Sequence, residues 1–273
     1  MNPLDHLPLL LVMVLATLTQ VLFIELGFRY GTAKQRGPVK AQMAQVRAIM
    51  GASLGLLAFM LAFSFSMAQQ HFEERTRAYM LEVSAIGAAF RGADLIQVDA
   101  RSEAKEILLN FAKLRLELSR AVKQSDMAAV REMIRESDRM HDQLWSIAES
   151  SMEGKGGGED TGIFAQSVLA MINAQDARLQ AGIFNRISPT IWFALFLMSL
   201  LSMIVMGYQA GLTGTRSKLA TWTLALTFSA VMTLVTDLDR PNMTLFEMNQ
   251  SLMVELENRM QGGDSWDPAA RQP

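Results

Sequence analysis

The chain has 273 residues, half of them hydrophobic, and a formal net charge of −2 from 25 Lys and Arg against 27 Asp and Glu. No region concentrates enough Lys and Arg to displace the counterions of a phosphate backbone, so no nucleic-acid partner is expected. The lack of cysteine rules out disulfides, cysteine-ligated zinc, iron–sulfur clusters and thiol catalysis, and His6, His71 and His141 do not stand at metal-ligand spacing.

Four apolar segments, at about residues 7–27, 48–68, 190–210 and 217–237, are each about 20 residues long. At about 1.5 Å of rise per residue each crosses a hydrocarbon core of about 30 Å. The link between spans 1 and 2 carries Arg29, Lys34, Arg36, Lys40 and Arg47 without an acid, and the link between spans 3 and 4 carries Arg216 and Lys218 without one. Short basic loops stay in the cytoplasm, which places both termini and everything between spans 2 and 3 on the outer side. Asp5 and His6 precede the first apolar run where a secretory signal carries basic residues, so the run reads as an uncleaved span.

Span 1 closes in Glu25-Leu26-Gly27-Phe28-Arg29-Tyr30-Gly31. Glu25 stands one turn before Arg29, as an intrahelical ion pair or as part of a charge ring at a cytoplasmic vestibule. A turn is expected over Lys34 to Pro38. Span 2 opens with Gly51 and Gly55, a small-xxx-small pair that lets another helix approach. Beyond it Phe59, Phe63, Ser66 and Gln70 share one helical face, with Met67 beside them. Two phenylalanines one turn apart either pack in the bundle core or form a pore constriction that gates by dewetting. Met60, Met67, Met203 and Met206 read as flexible core fillers.

From Gln69 to Ile187 the chain turns charged but keeps a helical period, with apolar positions at Leu108, Phe111, Leu114 and Leu118, then Val130, Ile134 and Leu144, then Phe164, Val168 and Ile172. Breaks at Asp99–Ser102, Gln124–Asp126 and Gly154–Gly158 leave four helices. The first continues span 2 through a small-residue stripe, Ser84, Ala88 and Gly92. Fifteen basic and eighteen acidic residues here read as a solvated surface laced with weak ion pairs.

Ser188-Pro189 is an N-cap followed by proline at the first helical position, and it opens span 3, which Trp192 and Tyr208 bracket as interfacial anchors. Span 4 carries a polar stripe of Ser229, Thr233 and Thr236 that ends in Asp237-Leu238-Asp239-Arg240-Pro241. An ionisable group at a span's edge is costly unless it faces water or a partner. The stripe therefore either lines a pathway with Asp237, Asp239 and Arg240 at its outer mouth, or pins the end of the span by ion pairing. An amphipathic helix is expected from about Thr244 to Met260, and disorder beyond Gly262.

The reading is an all-α membrane protein: residues 1–68 form spans 1 and 2, 69–187 an extracytoplasmic antiparallel helical bundle, 188–241 spans 3 and 4, and 242–273 the amphipathic helix and tail.

Two stretches together resemble the bacterial bestrophin-like domain family of unknown function. One is Leu61-Ala62-Phe63-Ser64-Phe65-Ser66-Met67-Ala68 with Glu82-Val83-Ser84-Ala85-Ile86-Gly87-Ala88-Ala89-Phe90-Arg91-Gly92-Ala93-Asp94-Leu95, and the other is Val235-Thr236-Asp237-Leu238-Asp239-Arg240-Pro241. The resemblance implies two spans, a helical insert and two more spans in a bacterial inner membrane, and supplies no activity. Its name links it to bestrophin anion channels, pentamers in which three large apolar residues about one turn apart line a neck; Phe59, Phe63 and Met67 are similarly spaced. The chain departs from those channels in lacking a counterpart of their calcium clasp, and in loop charges that put the helical insert outside.

The expected function is a homo-oligomeric inner-membrane ion channel with span 2 along the pathway. The alternative is a non-conducting scaffold or sensor whose bundle binds a partner or ligand. The expected partners are the lipid bilayer, further copies of the chain and inorganic ions. No cofactor is expected, nor an enzyme, since no nucleophile–base pair or metal array is visible.

Overall fold

A computed structural model of the chain describes residues 7–34, 40–124, 126–153, 159–183, 186–214, 217–240 and 250–262. These form helices α1 (Leu9–Ala33), α2 (Lys40–Gly92), α3 (Val98–Lys123), α4 (Met127–Glu153), α5 (Glu159–Ile183), α6 (Pro189–Thr213), α7 (Lys218–Asp239) and α8 (Ser251–Met260), and no strand is present among them. Four helices are long and apolar enough to cross a membrane: α1, α2, α6 and α7. The chain divides into two compact units, one of Met1–Phe72 with Arg186–Phe246 and the other of Glu73–Asn185 with Glu247–Pro273.

In the first unit α1 and α6 run parallel in close contact. The order of approach shows it: Gly27 meets Ile204 and Tyr208, and Gly31 meets Tyr208 and Gly211. Glycine on both helices removes the side chains that would hold the backbones apart. Leu57 and Leu61 of α2, Trp192 and Leu195 of α6, and Met232, Val235 and Leu238 of α7 form its largest apolar cluster. Trp192 is thus packed inside this unit and does not serve as an outward interfacial anchor. A flat indole buries more surface against the leucines than it would at a headgroup.

Local signals set the helix ends. Ser188 accepts a hydrogen bond from the Thr190 N–H, with Pro189 at the first helical position, and Ser217 accepts from the Ala220 N–H to open α7. Asp126 accepts from the N–H groups of Ala128 and Ala129 to open α4. Each satisfies backbone donors that a helix leaves unpaired. Gly214, at φ 68°, closes α6 in the left-handed region that suits glycine.

The second unit packs the end of α2 with α3, α4, α5 and α8 around one core, in which Tyr79, Ile86, Leu108, Phe111, Leu144, Phe164 and Met253 are buried. The short connections between α3 and α4 and between α4 and α5 make these neighbours antiparallel. Gly92 lies so close to α5 that an added Cβ would stand 2.9 Å from Ser167 Oγ.

One break differs from the sequence expectation. The chain leaves α2 through a short 3-10 turn, Ala93–Leu95, and α3 already begins at Val98, so Asp99–Ser102 is helix. Asp99 suits the first turn, where unpaired N–H groups favour negative charge, and Arg101 donates back to the Ile96 carbonyl at 3.3 Å. The turn expected over Lys34 to Pro38 shows only its first residue, Lys34, as the cap of α1. The rest of that turn, the glycine run 154–158, Ser125, Arg216, Pro241, residues 244–249 of the amphipathic helix and the tail from 263 lie outside the described residues.

Candidate functional site

The face of α2 singled out in the sequence is open in the folded chain. Phe59 and Phe63 are 63% and 52% exposed, Ser66 and Gln70 are exposed, and Met67 is half-buried. Neither ring packs in the core of this chain, which is built instead on the opposite face through Leu57, Leu61, Ser64 and Ala68. An added Cβ at Gly51 or Gly55 meets open space. These glycines do not seat another helix of the same chain. Close backbone approach between α1 and α6 falls instead at Gly27 and Gly31 of α1 and Gly207 and Gly211 of α6, two pairs at the same four-residue spacing that the sequence expectation did not include. Of the second stripe only Gly92 makes a close approach; Ala88 is half-buried and Ser84 exposed.

The polar stripe of α7 faces inward. Ser229, Thr233, Thr236, Asp237, Asp239 and Arg240 are all buried. Thr233 donates to the Ser229 carbonyl and Thr236 to the Met232 carbonyl, each at 2.7 Å, which satisfies the hydroxyls within the helix. Asp239 accepts from the Ile187 N–H at 2.7 Å and lies 3.8 Å from Arg186. Arg240 donates to the Leu7 carbonyl at 2.9 Å. The entry of α1, the lead into α6 and the end of α7 are thus tied together by two charged side chains. Within the chain Asp239 and Arg240 are buried against backbone groups, the geometry of a pinned span end. Glu25 pairs with Arg29 at 3.1 Å along α1.

A second cluster lies in the core of the other unit, and sequence reading took its members for solvated surface. Glu82 of α2 is 0% exposed and stands between two guanidinium groups. Arg115 of α3 is 2.6 Å away and 2% exposed, and Arg178 of α5 contacts the other carboxylate oxygen. Arg178 lies over the Tyr79 ring, 5.0 Å from its centroid, and Tyr79 in turn accepts from the Met253 N–H of α8 at 3.1 Å. Phe111 touches both Arg115 and the His141 ring of α4, whose centroid is 5.1 Å from its own. Gln175 of α5 donates to Asp138 at 3.5 Å.

Two cations on one carboxylate, Arg115 buried and Arg178 partly exposed, leave a net positive charge at this core. Burial pushes the Arg115 guanidinium down to about 10, with Glu82 pulling the other way. Burial likewise lowers the His141 pKa below its ordinary value. Arg115 Nε and Nη1, His141 Nε2 and Gln175 Oε1 are buried without a hydrogen-bond partner among the described residues. A sequence signal did exist: Arg115 falls on the face of α3 defined by Leu108, Phe111 and Leu118, and Glu82 on the face of α2 defined by Tyr79, Ile86 and Ala89. Among the described residues no group of three or more His, Asp and Glu is placed to hold a metal.

No protein-family model matches the chain, and no curated protein matches it. A solved structure described as the crystal structure of a membrane protein has a TM-score of 0.59 and 13% identity, over 94% of this chain and 98% of its own. At that identity the likeness is one of fold. With its four long apolar helices and its similarity in fold to a solved membrane protein over nearly its whole length, the chain is a multi-pass membrane protein.

Proposed function

We propose that this chain is a subunit of a homo-oligomeric ion channel of the bacterial inner membrane, in line with its resemblance to the bestrophin-like domain family, and that α2 lines the pathway. The supporting observation is the composition of the open face of α2. The exposed face of α1 is built from bulky groups such as Leu11, Leu15, Leu18 and Leu22, as suits lipid tails, and that of α7 mixes Trp222 and Leu226 with Thr223, Thr227 and Ala230. The exposed residues of α2 include more small ones, Gly51, Ala52, Gly55, Ala58 and Ala62, beside the bulky Ile49, Leu56, Phe59 and Phe63, with Ser66 and Gln70 beyond them. Small residues gain nothing against lipid but allow copies of α2 to approach one another. Phe59 and Phe63 then form the narrow apolar ring, with Ser66 and Gln70 at its wetter end. Four spans enclose little space, so the pathway requires several copies about an axis.

The test is conduction by the purified protein in planar bilayers, comparing wild type with Phe63→Ala. Shrinking a hydrophobic constriction lets water persist there, so the variant should conduct more. If neither conducts above the empty membrane while both remain folded oligomers, the channel gives way to a scaffold whose segment 69–187 binds a partner.

A further inference from the structure

We propose that His141 makes the helical core of the second unit acid-sensitive: the neutral ring accompanies the closed Glu82–Arg115–Arg178 cluster, and a proton on it adds a third cation to that core and loosens α4 from α3 and α5. The inference holds whether or not the protein conducts.

Charged groups from α2, α3, α4 and α5 face His141. From α3 comes Arg115, whose guanidinium shares Phe111 with the imidazole. From α2 comes Glu82, already held by two arginines, and α5 contributes Asp176. On its own helix Asp138 stands one turn away, exposed and hydrogen-bonded by Gln175. The two aspartates and Glu82 favour a protonated ring, and Arg115 opposes it. Desolvation outweighs these contributions and holds the ring neutral. Asp138 and Asp176 are exposed, so water screens their pull, whereas Arg115 acts from within the core.

His141 Nε2 is buried with no partner among the described residues. A proton there becomes a charged donor with nothing to receive it, beside an arginine that already has unsatisfied N–H groups. The folded unit thus binds this proton more weakly than the unfolded chain does. Its contribution to stability is fully present above the ordinary histidine pKa and is lost as pH falls through that value towards the lower folded one. Relief comes from separating α4 from α3 and α5, which lets water reach the ring. Polar groups supplied by four different helices make this the place where one proton can disturb the whole unit.

The test uses the full chain in nanodiscs. With only three histidines in the chain, imidazole NMR signals are assigned with His6→Gln and His71→Gln. Hydrogen-exchange protection of 107–118 and 137–148, corrected for intrinsic rates, is then measured between about pH 7.5 and pH 5.5. Expected are titration of His141 below the ordinary histidine range, protection lower by about tenfold at the acid end in wild type, and a flat profile in His141→Gln. Arg115→Gln, which leaves Glu82 paired with Arg178, should shrink the loss. If His141→Gln does not fold, His141→Phe keeps a ring against Phe111 and takes its place. Unchanged protection in wild type overturns the proposal, as does an equal loss in the His141 variant or an undiminished loss in Arg115→Gln.

Discussion

Gly27 of α1 and Gly207 of α6 each lie against the backbone of the other helix. A Cβ on Gly27 would strike the Ile204 carbonyl oxygen and one on Gly207 the Ile24 carbonyl oxygen, both closer than the 3.0 Å that real Cβ atoms respect. The two helices touch backbone to backbone, where weak Cα–H···O contacts and dispersion hold them. Gly27→Ala or Gly207→Ala should cost about 1–3 kcal/mol, the usual range for overpacking. The check is a denaturant titration in detergent, and a variant as stable as wild type would remove this seam from the account.

Gly55 gives the contrasting expectation. Among the described residues nothing approaches it, and alanine in a helix is intrinsically favoured over glycine by about 1 kcal/mol. Gly55→Ala should leave the folded chain at least as stable. Gly55→Leu, if α2 meets its copies along this face, should lower the mass of the detergent-solubilised particle while helicity stays unchanged. Light scattering with circular dichroism distinguishes the two effects.

Glu82→Gln removes the carboxylate that Arg115 and Arg178 share. Breaking a buried pair by deleting one partner typically costs about 3–5 kcal/mol, because a charge is left uncompensated. Arg178 is partly exposed and can turn towards water, but Arg115 cannot. The same substitution at Glu132, in an exposed pair with Arg135, should cost about 0–1 kcal/mol. Equal losses at the two sites in a chemical-denaturation series would show that the buried cluster is screened by water.

Asp239→Ala strips the Ile187 N–H of its acceptor, at a cost of about 1–3 kcal/mol for a buried donor. Asp239→Asn keeps an oxygen in place and should lose less. Hydrogen exchange at the Ile187 amide should quicken in the order wild type, Asn, Ala. A rate unchanged in the alanine variant would mean that water already serves this group.

The membrane orientation expected from the sequence rests on seven basic residues in two acid-free loops. Because the chain has no cysteine, single cysteines at Lys34, Gln124 and Lys218, all exposed, can be labelled without background. An impermeant thiol reagent added to intact cells should reach position 124 alone. Labelling of 34 and 218 from outside, with 124 protected until lysis, would reverse the topology.

The number of spans and most helix ends were legible in the amino-acid sequence because they depend on local chemistry. About 20 apolar residues satisfy their own backbone in lipid, and Ser188, Ser217 and Asp126 cap the helices that follow them whatever those helices pack against. The Glu25–Arg29 pair, one turn apart, is local in the same sense. What depends on which face meets which was decided only by tertiary packing. Gly51 and Gly55 have the same spacing as Gly207 and Gly211, yet only the second pair meets a neighbouring backbone in this chain. Arg115 stands one turn from Phe111 and Leu118, whereas the residues three and four from Arg135 are Arg131, Glu132, Asp138 and Arg139; the apolar face was legible, but not that Glu82 and Arg178 meet Arg115 there. Arg115 is sealed in a core with Glu82 and Arg135 lies in water, because burial is a property of the assembled helices and desolvation sets the energy of a charge only once a neighbour has excluded the solvent.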